Sequence, residues 1–378
     1  MLTPRDEADL AEAVRGAEGP LWIEGGGTRG PVRATNGTRL SVAGLTGITL
    51  YEPGALTLVA RAGTPLAEVE AALAVENQRL PIEPMDHRGL LGSRGEPTIG
   101  GMVAANVSGP RRIQAGACRD SLIGVRFVDG RGDVVKNGGR VMKNVTGYDL
   151  VKLMAGSFGT LGVLSEVAFK VLPRTAVQHT LGVIVTDDAG NASQNIGRAI
   201  AALSAVLGSP FDVSGAAINK DGNAFVRVEG FAASVEYRVA QLKSLLGRFG
   251  AVRGLAGEAS EALWRKIRDV GALHGTDHDV WRISVKPGDG AAVAARLAGA
   301  ELLFDWGGGL IWAGVAAGSD VRGALAGISG HATLVRAAPE THAALGTFQP
   351  EQAPLAALTA GLRAQFDPRG ILNPGRMG

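Results

Sequence analysis

The chain has 378 residues, too many for one ordinary hydrophobic core, and its 46% hydrophobic and 20% charged residues describe a folded protein rather than a disordered one. Its 38 basic residues are scattered among 36 acidic ones, for a net charge of +2, which leaves no cationic stripe for nucleic acid. One cysteine, Cys118, excludes an internal disulfide framework, a cysteine-rich zinc site and a self-contained iron–sulfur cluster, and its expected role is that of a small buried filler.

The first residues are acidic where a signal peptide would carry a basic and then an apolar run, and no stretch approaches about 18 uninterrupted apolar residues. A cytoplasmic protein without a membrane span is expected, with peripheral attachment at the inner membrane through partners left open. Residues 3–16 read as an amphipathic helix with Thr3 as N-cap, and LWIE (21–24) as a strand running into GGGTRG. Short β-rich runs broken by glycine fill 39–63, and 65–78 has the helical spacing Leu66, Val69, Leu73. TIGGMVAAN (98–106) reads as a closely packed helix start, 121–135 as two strands about an Asp-Gly turn, and 161–171 as a strand pair ending at Leu172-Pro173.

From residue 177 the order becomes strand, helix (190–207), strand, strand, helix (232–249), then the strand VWRISVKP near 280, the pattern of a ferredoxin-like unit. The last segment, LTAGLRAQFDPRGILNPGRMG, is a helix and a tail whose Phe366, Ile371 and Leu372 are apolar anchors that a solvated tail would not need. No internal repeat is evident. The expected domains are 1–175, 176–345, and a segment 346–378 that docks back on the first.

Glycine is the unusual residue: 56 of them, about twice the usual share, cluster in the first half. GGGTRG matches G-x-G-x-x-G through Gly25, Gly27 and Gly30, but a dinucleotide fingerprint needs its third glycine inside a helix, which Pro31 and the residues to Gly37 do not extend. A better reading is a nest in which the amides of Gly25, Gly26, Gly27 and Thr28 converge on a pyrophosphate, with an ordinary tight turn as the alternative. In the second cluster, 96–125, a helix N-terminus would offer free amides to a diphosphate, and Gly101, Ala104 and Ala105 would let a flat ring lie close.

The ordered segments GGGT (25–28), PTIGG (97–101), SGPRR (108–112), RDSLIGV (119–125), VMKNVTGYDLVKL (141–153) and GSFGTLGVLSEV (156–167) together resemble the FAD-binding domain of the vanillyl-alcohol oxidase, or p-cresol methylhydroxylase, family. With the closing FDPRGILNPGRM (366–377), nearly the whole chain is similar to the E-subunit family of bacterial glycolate oxidases, three-subunit 2-hydroxyacid oxidoreductases. The resemblance implies an α+β fold: a two-subdomain FAD-binding domain and a smaller ferredoxin-like cap domain. It further implies noncovalent FAD, with Gly25, Gly26, Gly27 and Thr28 at the diphosphate. Thr98, Gly100, Gly101, Ser108 and Gly109 would line diphosphate and flavin, and Gly162 and Val163 would meet the adenine side. Arg119-Asp120 and Lys143-Asn144 would support the loops. The implied partners are a sister FAD subunit and an iron–sulfur subunit, and the implied substrate is a small 2-hydroxyacid, glycolate oxidised to glyoxylate. Relatives with covalent flavin often carry His or Cys in these loops; here His87 and Cys118 are the nearby candidates.

Dehydrogenating relatives also carry a His-x-Gly-Asp-Gly-Asn motif and a further histidine; KPGDGA (286–291) and DWGGGLIW (305–312) lack them. Without an imidazole to take the hydroxyl proton, the chain is expected to oxidise a hydroxyacid poorly alone. The remaining catalytic candidates are Arg282, which can grip a carboxylate bidentately, and His274 and His278, four apart as on one helix face, though Gly275 favours a loop and no metal site is expected. Trp264, Trp281, Trp306 and Trp312 suit a pocket, an interface or the core. Three readings stay open: a redox-active FAD subunit, a noncatalytic subunit that keeps the fold to organise a complex, and a stand-alone hydroxyacid or alcohol oxidoreductase.

Overall fold

The structure is a computed structural model that describes residues 1–29, 37–139, 147–185 and 192–377. The α+β chain divides into two units: 1–108 with 116–174 and 350–378, and 109–115 with 175–349.

In the first unit the opening helix runs Glu7–Arg15, capped by Asp6, whose carboxylate accepts from the Asp9 amide at 2.9 Å. Thr3 is not the cap, because Leu2 is held extended: its amide donates to Arg39 and its carbonyl accepts from Ser41. Strands β1 (Leu21–Glu24) and β2 (Thr38–Ser41) pair in parallel, Leu21 opposite Thr38. β3 (Ile48–Glu52), β4 (Thr57–Arg61), β5 (Gln78–Arg79), β6 (Leu122–Val128), β7 (Val134–Gly138), β8 (Val163–Lys170) and β9 (Leu172–Pro173) follow. A five-stranded antiparallel sheet has the order β3-β4-β8-β6-β7, and β5 pairs with β9. The stretch 161–171 is one strand, not two: β8 is central, bonded to β4 and β6, so its near-continuous apolar run needs no turn.

The carboxyl-terminal segment belongs to this unit. After a helix, Ala353–Phe366, the Leu21 amide donates to Ile371 and the Asn373 amide donates back to Leu21. Ile371 and Leu372 join Leu10, Val14, Leu21 and Leu40 in one buried cluster. Phe366 packs on Phe127 with ring centroids 6.0 Å apart.

The second unit is one antiparallel sheet of β10 (Val177–Ile184), β11 (Val213–Ile218), β12 (Ala224–Gly230), β13 (Ala251–Ala256), β14 (Asp279–Val285), β15 (Glu301–Asp305), β16 (Leu310–Val315) and β17 (Gly330–Arg336). Its order, β13-β10-β12-β11-β15-β16-β14-β17, is two β-α-β-β-α-β units set edge to edge, joined where Ile218 meets Phe304. Two expectations are corrected. VWRISV opens the second unit, and the strand that closes the first is AVRGLA (251–256); there is also an internal repeat of topology. AVRGLA is an exposed edge strand interrupted by glycine, and the helices of the second copy, Gly290–Arg296 and Val321–Ala324, are too short to show a clear helical period.

Helices Ala192–Leu207 and Ala232–Leu246 lie on the core face of this sheet, where Trp281, Ile283, Ile311 and Leu334 are buried. The alternate residues point the other way. On that side helix Gly257–Arg268 packs across β10 and β13, and Trp264 donates to Thr180 at 2.8 Å. No helix among the described residues is long and apolar enough to cross a membrane.

Candidate functional site

The first unit contains a cavity of about 230 Å³. Gly25, Gly26, Gly27 and Thr28, the loop that leaves β1, form one wall, with Thr98, Gly100 and Gly101, the start of a helix Ile99–Ala104, beside it. Phe158, Gly159, Gly162 and Val163 come from the approach to β8, and Asn373 and Arg376 from the carboxyl-terminal tail. Ser108 and Gly109 do not line it. The Ser108 hydroxyl accepts from the Cys118 amide at 2.9 Å, and the Gly109 carbonyl, in the second unit, accepts from the Trp306 indole at 3.1 Å. Asp120 supports its own turn by accepting from the Ala117 amide, and Arg119 donates its amide to Asn106; Lys143 and Asn144 lie outside the described residues.

The glycines are small for different reasons. A Cβ on Gly26 would sit 1.6 Å from the Glu96 carbonyl oxygen, and one on Gly25 would sit 2.5 Å from the Thr98 hydroxyl, so both make room for the protein itself. Gly27 has φ +70° and nothing within 4 Å of a built Cβ, so there conformation is the constraint and the space is open. Among the described residues no carbonyl takes the amides of Gly26, Gly27 or Thr28. The helix N-terminus, by contrast, is not free. The Ile99 amide donates to Thr64, that of Gly100 to Ala62, and that of Gly101 to the Thr98 hydroxyl, so the expected supply of helix amides is already used.

Three arginines line the cavity; Arg39 is paired with Glu24, and positive charge comes from the other two, which sequence reasoning passed over. Arg29 donates Nη1 to the Gly101 carbonyl at 2.6 Å, while its Nε is buried with no partner among the described residues. Burial, with the charge of Arg376 acting in the same direction, pulls its pKa down to about 10. Arg376 lies over the Trp22 ring at 4.9 Å and is likewise lowered to about 10 by burial. Both stand inside quoted motifs, GGGTRG and NPGRM, but an arginine in sequence is ordinarily read as solvated. An orphaned cationic nitrogen beside open backbone amides fits a diphosphate.

The two residues considered for a covalent flavin link do not reach this cavity. Cys118 is buried, with its thiol pushed up to about 12 by desolvation, and His87 sits with Nδ1 3.2 Å from the Met85 carbonyl oxygen.

In the second unit His274 and His278 follow a short 3₁₀ turn, Gly271–Leu273, and Gly275 at φ +65° keeps them off a common helix face. His274 Nε2 lies 2.7 Å from the Asp269 carbonyl oxygen, and no group of three His, Cys, Asp or Glu among the described residues is arranged to hold a metal. Arg282, on β14, faces Trp312 on β16 and Thr333 on β17, away from the sheet's buried core face. Its Cζ is 5.3 Å from the Trp306 ring centroid, and Arg112 approaches the same ring at 4.5 Å. Burial, then the charge of Arg112, lowers Arg282 to about 10; His331 is lowered by burial and by both arginines. No carboxylate among the described residues pairs with Arg282. Of the tryptophans, Trp264 and Trp281 are buried core, whereas Trp306 carries this cationic cluster.

Comparison with known proteins assigns the class first. A family described as "FAD binding domain" matches residues 1–138. The glucooligosaccharide oxidase of Acremonium strictum shares the fold at a TM-score of 0.69 over 99% of this chain and 89% of that one, at 14% identity. The fold is therefore that of the vanillyl-alcohol oxidase type, with FAD as its cofactor. The glycolate oxidase subunit GlcE of Escherichia coli K12 is 37% identical over 366 residues, covering 95% of this chain and 92% of that one. The chain belongs to the glycolate oxidase E-subunit family, a family of FAD-linked oxidoreductase subunits. Subunit GlcD of Bacillus subtilis is 38% identical over a shorter stretch of 105 residues, 28% of this chain and 22% of its own length.

Proposed function

We propose that the chain is the E-type FAD subunit of a complex that oxidises glycolate to glyoxylate, working beside a sister flavoprotein and an iron–sulfur protein. The observation that carries this reading is the likeness to GlcE along almost the entire chain, in a protein whose glycine loop opens on a cationic cavity. FAD, when bound, supplies a two-electron acceptor that can release electrons singly. The residues that would hold it are Gly26, Gly27 and Thr28, by their amides, with Gly25, Thr98, Gly100, Gly101, Gly162 and Val163 lining the walls. Attachment is noncovalent, since neither cavity loop carries a cysteine or histidine.

Arg282, with Arg112 on the same indole, holds the carboxylate of a small 2-hydroxyacid. The chain lacks the His-x-Gly-Asp-Gly-Asn motif of its dehydrogenating relatives, which supports leaving hydroxyl deprotonation to the sister subunit. That observation also favours a second reading, a subunit that keeps the fold to organise the complex. One variant separates the two. Gly27→Asp keeps packing, since its Cβ meets nothing and Asp tolerates positive φ, and sets a carboxylate against the diphosphate. If this flavin lies on the electron path, the assembled variant complex loses one FAD and its glycolate-dependent dye reduction falls at least tenfold. An unchanged rate in a complex lacking that FAD establishes the organising role instead.

A further inference from the structure

We infer that β13, the free edge of the eight-stranded sheet, is a self-pairing surface on which a second copy of this chain docks, strand to strand and helix to helix about a two-fold axis.

The two edges of this sheet are finished differently. Along β17 the chain returns and covers the ladder: the Leu334 amide donates to the Thr347 carbonyl and the Ala332 amide to Gln349 Oε1, both at 2.9 Å. Arg322 pins that return by donating to the Leu345 and Thr347 carbonyls at 2.6 and 2.7 Å. β13 ends the sheet on the other side. Five of its six residues are exposed, and among the described residues its backbone bonds only to β10. Such an edge is ordinarily blunted by proline, lysine, a bulge or a covering segment. The sequence AVRGLA has neither proline nor lysine, its register with β10 is unbroken, and its one charge is Arg253.

Backbone, spacing and charge all select a second copy. An antiparallel edge is its own complement under a two-fold axis perpendicular to the sheet. In a register centred on Gly254, Arg253 faces the second copy's Leu255, whose side chain is 37% exposed here, and Val252 faces the second copy's Ala256. Centring on Arg253 instead would set two like charges face to face. Beyond the strand, Gly257, at φ +55°, turns the chain into helix Gly257–Arg268, which lies across both β10 and β13. Strands stand about 4.8 Å apart, so a second β13 on the edge brings the two helix axes to roughly 10 Å, the spacing at which helices pack. That helix exposes acids in its first half, Glu258 and Glu261, and bases in its second, Arg265 and Lys266. Antiparallel alignment lays each acidic half beside the second copy's basic half. The pair Glu261–Arg265 within the helix, at 3.5 Å, is exposed on both sides and exchanges readily.

The test is sedimentation of the full-length protein over a range of concentration and salt, for wild type, Leu255→Lys, the half reversal Glu258→Lys with Glu261→Lys, and the complete reversal that adds Arg265→Glu and Lys266→Glu. The wild type is expected to form a dimer whose Kd rises several-fold between about 0.05 and 0.5 M salt. Leu255→Lys sets a cation against the second copy's Arg253, and the half reversal sets like charges side by side; each should weaken the dimer about tenfold or more. The complete reversal restores complementarity and should return to within about threefold of wild type. Should Leu255→Lys misfold by circular dichroism, the charge series decides alone. Amide hydrogen exchange at 251–256 should slow as the wild type is concentrated. A chain that stays monomeric at the highest concentration overturns the proposal, as does a dimer indifferent to all the variants. A complete reversal no tighter than the half reversal overturns it as well. Exchange at 251–256 that slows only when the other subunits of a complex are added overturns it in favour of an unlike partner.

Discussion

Buried arginines occur in two settings in this molecule. In the second unit Arg111 and Arg227 close on Glu229: Arg111 binds it bidentately at 2.6 and 2.9 Å, and Arg227, fully buried, stands at 3.4 Å with its Cζ 4.5 Å from the Trp264 ring. Burial alone would raise the Glu229 carboxyl, but the bonds from Arg111 and the charge of Arg227 overturn that and hold it at about 2. In the cavity, Arg29 is half-buried and has no carboxylate bonded to it. The contrast teaches that a bonded carboxylate marks an arginine that braces the fold, and its lack marks one that can take an anion.

The sharpest way to break this contrast is at its paired end. Glu229→Ala leaves Arg227 buried and uncompensated and should cost about 3–5 kcal/mol in urea unfolding; a loss under 1 kcal/mol would erase the distinction. The same carboxyl gives a pH signature. Its folded pKa lies below the unfolded value, so its contribution is present above about 4.5 and disappears as pH falls toward about 2. Stability followed from pH 5 downward should drop more steeply in the wild type than in Glu229→Gln.

The glycine loop gives the next effect. Gly26→Ala drives a methyl into the Glu96 carbonyl and should cost about 1–3 kcal/mol. Gly27→Ala, strained but unobstructed, should cost about 1 kcal/mol. If both cost the same in thermal unfolding, packing does not distinguish the two positions. At the unpaired end, Arg282→Ala should change stability by less than about 1 kcal/mol, yet raise the KM for glycolate of the assembled complex about tenfold or more with a smaller change in kcat. An unaltered KM would remove Arg282 from substrate binding. The smallest effect is Thr98→Ala, which removes the cap of the short helix and should cost about 1 kcal/mol.

What the sequence disclosed follows from how each feature is encoded. The loop 25–28 and the turn at 98–101 announce themselves by local composition, because tight backbone demands glycine wherever it occurs. The strand VWRISV was likewise legible from its β-rich run, with Arg282 on it next to Trp281. The helix amides failed for the opposite reason. Their acceptors, the carbonyls of Ala62 and Thr64, lie some thirty-five residues upstream, and nothing local signals them. Arg29 and Arg376 were hidden similarly, since their significance lies in meeting across almost the full length of the chain. The second β-α-β-β-α-β copy escaped because short helices leave too few turns to display a face.

That doubled sheet has a further consequence. In its first copy the outer side is closed by helix Gly257–Arg268, with Trp264 driven against Gly215 and Thr180. At the corresponding side of the second copy stand Arg282, Trp312 and Thr333. Where an architecture is made twice, one rendering can be finished as solid framework while the other carries a cationic, aromatic cluster in the same place. The two copies thus divide the labour of the sheet, one side bracing it and the other gathering charge.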